Sequence, residues 1–408
     1  MNILFCTSSF ITGKGGIASY AHDFVEAFQD NNTFTIVTND NYQKQQDDDF
    51  EIVHFNMNDL NVSNALKFIS LIKKCNPQII INSASPLLAL VSPYLNDSIK
   101  IISIAHFVDG KLLRTAGLNA NYIDSAIVLS TFAKKNLDNW FHVNDKNKSK
   151  IIYNFMPTIS NPNIEQKKGA KILRIVYPGG HSISKSADIV CMVLKKLLRT
   201  KLQFEFYWIG GITLPGANWP LAKTRNVSDC VNKYDSRIKA FGPVPRNISQ
   251  DIISKANIFL LPSRGEGCPI TLLEAMRGGC IPIISNAKHG SLDLIDNEKN
   301  GFVVKQNSAN EIFKLIQDII KKHEHYTYIY DASYRKFTND LQYDVWSKKM
   351  HEIINAPIQH LQRIKFNRWK YFKDAKYIMF HDFLFWLKDR LIIQPYTIFI
   401  FRFIRYIY

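Results

Sequence analysis

The 408-residue sequence has few cysteines, no long apolar run and no excess of acidic residues. Its six cysteines are scattered and form no C-x-x-C pair, which argues against a disulfide framework or a zinc site and predicts reduced thiols. No stretch of ~20 residues is apolar enough to span a bilayer. The sequence opens directly on an apolar strand pattern at Ile3, so we expect neither a signal peptide nor a membrane-spanning anchor. These absences favour a cytoplasmic protein.

Positive charge is what the sequence has in excess. Lys and Arg number 51 against 35 Asp and Glu, which leaves a net charge of +16. Such an excess predicts an anionic partner: nucleic acid, an acidic membrane surface or a phosphorylated substrate. Hydrophobic residues make up 46% and charged residues 21%, a composition typical of globular proteins. A chain of this length exceeds one ordinary core and predicts two domains with an extension.

Short apolar, β-branched runs alternate with helical patterns along most of the chain. This alternation predicts an α/β fold with mostly parallel sheets, in which ligands bind at the carboxyl ends of the strands. We predict a first domain over residues 1–160, a second over 170–340, a returning helix over 341–357 and a tail over 358–408. Residues 157–169 show no periodicity and are interpreted as a linker.

The second domain contains a strand–loop–helix–strand segment. Two buried-strand patterns, 258–261 and 281–284, flank a Gly/Pro loop and a helix that starts near Pro269. Backbone N–H groups at a helix start are unpaired, so this loop suits an anion. Glu266 lies in the loop and Glu274 early in the helix, a spacing that lets one segment contact both ends of a nucleotide sugar. Taken alone, Glu274 also fits a residue that complements the helix dipole, and Glu266 a solvated loop residue.

The sequence around these two glutamates resembles the donor-site signature of the retaining GT-B glycosyltransferases in the glycosyl transferases group 1 (GT4-like) family. The resemblance rests on Leu261-Pro262-Ser263, Glu266-Gly267, Leu273-Glu274-Ala275-Met276, Gly279, Pro282 and Asn300-Gly301. It implies a GT-B fold, in which two doubly wound Rossmann-like domains face a cleft and a C-terminal helix crosses back to the first domain. Tyr343-Asp344-Val345-Trp346 resembles that crossing helix.

The same resemblance implies transfer of a sugar from a nucleotide-sugar donor, with retention of configuration, to a lipid-linked glycan acceptor of the cell surface, as in lipopolysaccharide, capsule or other polysaccharide synthesis. It implies no cofactor and no metal, because the nucleotide sugar is itself a substrate. His106, at the end of a strand, and Glu266 are the implied catalytic residues beside the transferred sugar. Whether retention proceeds by same-face attack or through a covalent intermediate stays open. The implied donor-binding residues are Gly15, Gly16, Gly180, His181, Lys185, Gly242, Gly267, Cys268, Pro269, Ile270, Thr271 and Glu274.

Two other functions stay open, one because the sequence departs from the family pattern and one because of a separate glycine motif. Where the family has an arginine for the donor pyrophosphate, this sequence has His181, and a neutral histidine is a weaker phosphate clamp than a bidentate arginine. A non-catalytic scaffold with the same fold is therefore one alternative. The stretch Gly13–Ala18 fits G-x-G-x-x-A, so an NAD-dependent enzyme with Asp40 as ribose ligand is the other.

The tail lies outside the resemblance. Residues 358–408 carry ten Lys and Arg against three Asp. An amphipathic helix that ends at Pro395, within a tail 361–408 lying on an anionic membrane, fits this composition and predicts a peripheral protein on the cytoplasmic face of the inner membrane. Basic residues with interleaved aromatics also suit single-stranded nucleic acid, but no nucleic-acid motif accompanies them and we expect no such partner. Packing of the tail on the protein itself is the remaining alternative. Its apolar residues recur mostly at steps of three to five: Leu361, Ile364, Trp369, Phe372, Met379, Phe383, Trp386 and Leu391.

Overall fold

The fold is that of a computed structural model. It describes residues 1–11, 15–42, 49–108, 110–140, 148–157, 162–180, 184–211, 235–287, 289–359 and 363–391. For Trp140 and residues 381–391 the description is confined to the backbone.

The first half of the chain forms one parallel sheet of seven strands in the order β3-β2-β1-β4-β5-β6-β7. Side chains alternate between its two faces, so that Ile3 and Phe5 of β1 belong to one core and Leu4 and Cys6 to the other. Burial on both faces is why the strands have continuous apolar sequences. The strands are β1 (Asn2–Thr7), β2 (Thr33–Thr38), β3 (Glu51–His54), β4 (Ile79–Ser83), β5 (Lys100–Ala105), β6 (Ser125–Val128) and β7 (Ser149–Ile151). The helices are α1 (Gly16–Phe28), α2 (Val62–Cys75), α3 (Pro86–Val91), α4 (Gly110–Gly117) and α5 (Thr131–Trp140).

The second half forms a parallel sheet of six strands in the order β10-β9-β8-β11-β12-β13. The prediction of an α/β chain with two doubly wound parallel sheets is therefore confirmed. The strands are β8 (Leu173–Tyr177), β9 (Phe204–Ile209), β10 (Ile238–Gly242), β11 (Ile258–Leu261), β12 (Ile281–Ser285) and β13 (Phe302–Val304). The helices are α6 (Ile164–Lys168), α7 (Ala187–Leu198), α8 (Arg246–Ser254), α9 (Ile270–Arg277), α10 (Ala309–Lys321), α11 (His323–Tyr326) and α12 (Tyr328–Asp340).

The interpretation of residues 157–169 as an irregular linker is wrong over its second half, which contains α6. Ile164 is buried in the core of the second sheet, and a Cβ added to Gly279 would lie 2.8 Å from Ile164 Cγ1. Lys167 Nζ donates to the Gly278 carbonyl at 2.5 Å. One buried apolar residue and polar contacts with distant segments hold this five-residue helix, so the sequence carries no periodic signal of it. These contacts include Asn257 Nδ2 to the Lys167 carbonyl at 3.2 Å and Lys168 to Asp331 at 2.9 Å.

A helix then returns to the first sheet, as predicted. Trp346 on α13 (Tyr343–Asn355) is 2% exposed and stacks on Phe155 with ring centroids 3.9 Å apart. The end of α13 is held by Lys100, whose Nζ donates to the carbonyls of Ile353 at 2.9 Å, Ile354 at 2.8 Å and Ala356. A buried ammonium therefore satisfies the last carbonyls of the crossing helix.

The tail forms a third layer on the first half. Tyr371, Ala375 and Ile378 of α14 (Arg368–Leu391) are at most 4% exposed and join the core formed by β1 and α2. Tyr371 Oη donates to the Leu60 carbonyl at 2.9 Å, and Arg363 Nη2 to the Ile99 carbonyl at 2.7 Å. This part of the tail is therefore packed on the protein itself.

The apolar residues that recur along the tail sequence do not form that contact. Three of them, Trp369, Phe372 and Met379, are 84%, 46% and 50% exposed. Among the described residues, no helix combines the length and apolarity that a membrane span requires.

Candidate functional site

The carboxyl ends of the two sheets meet. The strand order reverses between β1 and β4 in the first sheet and between β8 and β11 in the second, and ligands bind at such reversals. The loop that follows β11 lies directly on the end of β5, because a Cβ added to Gly267 would come within 2.2 Å of the His106 carbonyl oxygen. A Cβ on Gly265 would lie 3.4 Å from the Phe107 ring. The candidate site is therefore between the two halves.

His106 is the residue immediately after β5. Its Nε2 lies 2.8 Å from the Ser83 hydroxyl at the end of β4, and its ring meets the Tyr20 ring edge-on at 5.1 Å. Burial lowers the pKa of His106 to about 4. The imidazole is therefore neutral near pH 7, and it offers a substrate a hydrogen-bonding group without a charge. The catalytic role of His106 stays a prediction.

Glu266 and Lys185 form an ion pair at the centre of the site. Glu266 is only 5% exposed, and its Oε1 accepts a short hydrogen bond from Lys185 Nζ. The Lys185 side chain is 33% exposed, so solvent reaches its ammonium. Two backbone contacts fix this pair: Tyr177 Oη donates to the Lys185 carbonyl at 3.1 Å, and Gly290 N to the Glu266 carbonyl at 3.2 Å. A buried carboxylate is thus balanced by a cation that an incoming anion reaches.

Glu274 is the fifth residue of the eight in α9, not an early one as the sequence predicted. No acidic residue lies in the first turn, so the interpretation of Glu274 as a complement to the helix dipole is wrong. The side chain is 4% exposed and accepts one hydrogen bond, from Gln250 Nε2 at 3.2 Å. Burial raises the pKa of Glu274 to about 7, against the opposing effect of Arg246 and Arg277. A poorly solvated carboxyl group of this kind suits the hydroxyls of a sugar.

The start of α9 follows the loop that carries Glu266 of the Lys185–Glu266 ion pair. Pro269 is the N-cap and gives the helix no side-chain cap, and Ile270 and Thr271 are the first helical residues. Their amides are among those that a helix leaves unpaired, which makes this end attractive to an anion. The preceding loop is fixed from the first half, because Asn154 Nδ2 donates to the Cys268 carbonyl at 2.5 Å. Burial raises the pKa of the Cys268 thiol to about 12, so it is not a nucleophile near neutral pH.

The predicted glycines also lie at the carboxyl edges of the sheets. Gly15, with φ of 108°, precedes α1, and Gly16 begins that helix. Gly180 follows β8 with φ of 55° and donates its N–H to the Ile209 carbonyl at 3.0 Å, while Gly242 ends β10. The left-handed φ at Gly15 and Gly180 is one that residues with a Cβ rarely adopt. Their contact with a donor stays a prediction.

His181 and the Gly13-Lys14 pair lie outside the described residues, so the histidine-for-arginine departure stays as the sequence left it. Asp40, the proposed ribose ligand of an NAD site, has a different role. Its Oδ2 accepts from the Ser9 hydroxyl at 2.6 Å and from Phe10 N at 2.9 Å. This carboxylate holds the loop after β1, which disfavours the NAD alternative.

Sequence reasoning missed His289. The residue is 1% exposed, and its Nδ1 has no hydrogen-bond partner within the described part of the chain. Burial lowers the pKa of His289, with Glu266 opposing the shift. The sequence position of His289 could have indicated it. His289 comes four residues after Ser285, the last residue of β12, and so follows the carboxyl end of a strand, as His106 does.

Two polar contacts that join the halves were also missed. Asp293 caps α5 from the other half, with Oδ2 accepting from Thr131 N and Oδ1 from the Thr131 hydroxyl, both at 2.6 Å. Arg246 on α8 forms a bidentate pair with Asp23 on α1 at 3.0 and 2.9 Å. The partners are 162 and 223 residues apart, so no local pattern reports them.

In the described part of the chain, no group of three or more His, Cys, Asp or Glu side chains is placed to hold a metal ion.

Comparison with known proteins characterises the second half. The model of the family Glycosyl transferases group 1 matches residues 175–336. An uncharacterized glycosyltransferase of Haemophilus influenzae is 28% identical over 235 residues, which cover 56% of this chain and 61% of that protein. A glycogen synthase of Xanthomonas campestris is 26% identical over 133 residues, 33% of this chain and 26% of that protein. The chain thus spans less than two thirds of the length of either relative.

Solved structures share the fold of most of the chain. TarM of S. aureus, in complex with fondaparinux, α-GlcNAc-glycerol and UDP, has a TM-score of 0.70 at 13% identity and covers 87% of this chain and 100% of that one. HepE of Anabaena in complex with UDP has a TM-score of 0.66 at 14% identity, with coverages of 87% and 99%. These likenesses confirm the predicted GT-B fold.

Proposed function

We propose that this chain, whose residues 175–336 form a glycosyl transferases group 1 domain, transfers a sugar from a nucleotide-sugar donor to a glycan acceptor with retention of configuration. The observation that carries the proposal is the Lys185–Glu266 pair. Glu266 lies in the loop before α9, which rests on the end of β5 where His106 is found, and Lys185 reaches it from the loop before α7. Two segments of the second half thus offer a cation, a carboxylate and helix amides to one ligand.

Each part of a nucleotide sugar has a matching group. The diphosphate binds Lys185 and the first-turn amides at Ile270 and Thr271, because both attract negative charge. The ribose hydroxyls donate to Glu274, whose carboxyl group makes only one hydrogen bond to a described residue. The transferred sugar lies between Glu266 and the neutral imidazole of His106.

Catalysis in this proposal rests on the leaving group. Negative charge grows on the diphosphate as the glycosidic bond to it breaks, and fixed positive groups stabilise that charge. Lys185 is paired with Glu266 in the absence of donor, and an arriving diphosphate competes with Glu266 for the ammonium. Glu266 is then available to the sugar that the diphosphate carries. We propose that these groups suffice without a metal ion.

The solved relatives support a choice of donor and acceptor to test. TarM was solved with α-GlcNAc-glycerol and UDP, and HepE with UDP. We propose a UDP-sugar as the first donor to test and a lipid-linked cell-surface glycan, of the lipopolysaccharide or capsule type, as the acceptor.

A ligand screen tests the donor. Thermal unfolding with UDP-, GDP-, ADP- and CMP-sugars should show a raised Tm for one nucleotide, since a ligand that binds only the native state stabilises it. Lys185→Met should abolish that shift, whereas Lys201→Met, an exposed lysine of the same half, should keep it. No shift with any nucleotide sugar would overturn the donor assignment.

A product assay tests the reaction. Proton NMR of the glycoside formed should show the anomeric configuration of the donor sugar, and EDTA should leave the rate unchanged. An inverted product, or activity that EDTA abolishes and Mg²⁺ or Mn²⁺ restores, would contradict the mechanism.

A further inference from the structure

We propose that the outer face of α14 is a docking surface for an anionic lipid bilayer. We call the exposed residues 368–380 of this helix the docking face. This inference does not rest on the proposed function, because it concerns a layer of the fold that lies on α2, α3 and α4.

The docking face is apolar to an unusual degree for a solvent-exposed surface. Trp369 is 84% exposed, Met379 50%, Phe372 46%, Phe380 43% and Tyr377 40%. Trp369, Phe372 and Met379 recur at helical steps of three and seven and Phe380 follows directly, while Tyr371, Ala375 and Ile378 form the buried stripe of the same helix. Single exposed apolar residues are ordinary, but a contiguous group of large ones marks an interaction surface.

The same face is positively charged. Arg368, Lys373 and Lys376 are exposed, and Lys376 Nζ lies 4.5 Å above the Phe372 ring. Asp374 is the only acidic residue between 363 and 380, and it is paired with Lys370 at 2.8 Å. The face therefore presents cations around aromatic rings without exposed carboxylates to offset them.

Lipid is the partner that matches both properties. Tryptophan and tyrosine favour the headgroup boundary of a bilayer, and lysine stems lie along apolar surface while their ammonium groups reach the phosphates. The buried stripe holds the described part of α14 flat against the first half, so the helix is placed to lie in the interface rather than to cross it.

Other occupants lack charge complementarity. Residues 392–408 contain Arg402 and Arg405 and no acidic residue, so they do not neutralise the face. A second copy of the chain would bring the same positive face. Because the cytoplasmic leaflet is the anionic one, the proposal puts the protein on the cytoplasmic face of the membrane.

Flotation of the full-length protein with lipid vesicles tests the proposal. The protein should float with vesicles of phosphatidylcholine and phosphatidylglycerol, and binding should fall with added salt and with phosphatidylcholine alone. Lys373→Glu with Lys376→Glu should weaken binding by on the order of tenfold or more, since each basic group near such a surface contributes about 1 kcal/mol. Trp369→Ser with Phe372→Ser should weaken it at every salt concentration, because that loss is apolar.

The matched control is Lys195→Glu with Lys201→Glu, which makes the same charge change on exposed lysines of the other half. It should bind nearly as wild type. All substituted side chains are exposed, so every variant should keep its Tm. Equal binding by the docking-face variants and the control would overturn the proposal. Binding that does not depend on anionic lipid would overturn it as well. The same holds if the docking-face variants change only the oligomeric state in size-exclusion chromatography, or only the binding of a labelled single-stranded RNA.

Discussion

Burial changes the chemistry of two site residues in opposite directions. The imidazole of His106 loses its proton more readily than an exposed histidine, and the carboxyl group of Glu274 keeps its proton longer than an exposed glutamate. Both shifts arise because a buried charge is poorly solvated. Each has a measurable effect on stability as a function of pH.

Replacing Glu274 should separate stability from donor affinity. The folded-state pKa of about 7 lies above the ordinary value of 4.5, so this group's contribution to stability is full below pH 4.5 and is lost as pH rises through 7. Glu274→Gln should therefore unfold at a higher urea concentration than wild type above pH 7. Donor affinity should fall by about 2 kcal/mol in calorimetry. Glu352→Gln, at an exposed site, is the control, and unchanged donor affinity in Glu274→Gln would remove the ribose assignment.

His106 should give the opposite pH dependence. Its folded-state pKa of about 4 lies below the ordinary value of 6.5, so its contribution to stability is present above pH 6.5 and is lost as pH falls through 4. Urea unfolding of His106→Asn at intervals from pH 4 to 7.5 should show a shallower fall in stability than wild type. His54→Asn, at an exposed histidine, should follow wild type. Parallel curves for His106→Asn and wild type would mean that the imidazole is protonated in the folded protein.

At the scale of elements, the decisive contact is the loop before α9 resting on the end of β5. Gly267→Ala would push a methyl group into the His106 carbonyl, which is backbone and has little room to move. We expect a loss of about 1–3 kcal/mol in stability, as for overpacking, with weaker UDP binding. Gly265→Ala is the matched control, because its methyl group would meet only the Phe107 ring at 3.4 Å. Equal effects of the two substitutions would show that the loop moves freely.

The elements differ in how far their sequences predict them. β11, β12 and α9 were predictable, because a buried parallel strand is a continuous apolar run and Gly or Pro marks the loop ends. The helix α6 was not, since one buried isoleucine and the tertiary polar contacts of its lysines hold it. Within the site, the sequence indicated Glu266 and Lys185 through the family resemblance. Their direct pairing, like the cap that Asp293 gives to α5, depends on contacts between distant segments.

At the scale of the whole molecule, the polar contacts that join the halves beside the cleft include Asp293 with Thr131, Arg246 with Asp23 and Asn154 with Cys268. Asp293→Ala removes the carboxylate that caps α5 from the other half. We expect the halves to separate more readily, so that small-angle scattering without donor gives a larger radius of gyration. Loss of the cap should lower the free energy of unfolding by about 1 kcal/mol. Asp251→Ala is the control, since Asp251 pairs with Lys255 on its own side. An unchanged scattering curve for Asp293→Ala would show that the remaining contacts hold the halves together without this cap.

The contacts of the buried Lys100 ammonium bear on how the chain folds while it is being synthesised. Its carbonyl partner at Ile353 lies 253 residues further along the chain. At about 5–20 residues per second, a ribosome needs roughly 13–50 seconds to cover that distance. Within that interval β6 and β7 complete the first sheet, still without the helix that satisfies Lys100 and without Tyr371, which closes its other core. The first sheet of a nascent chain therefore waits, with apolar surface uncovered, until residues 353–378 have been translated.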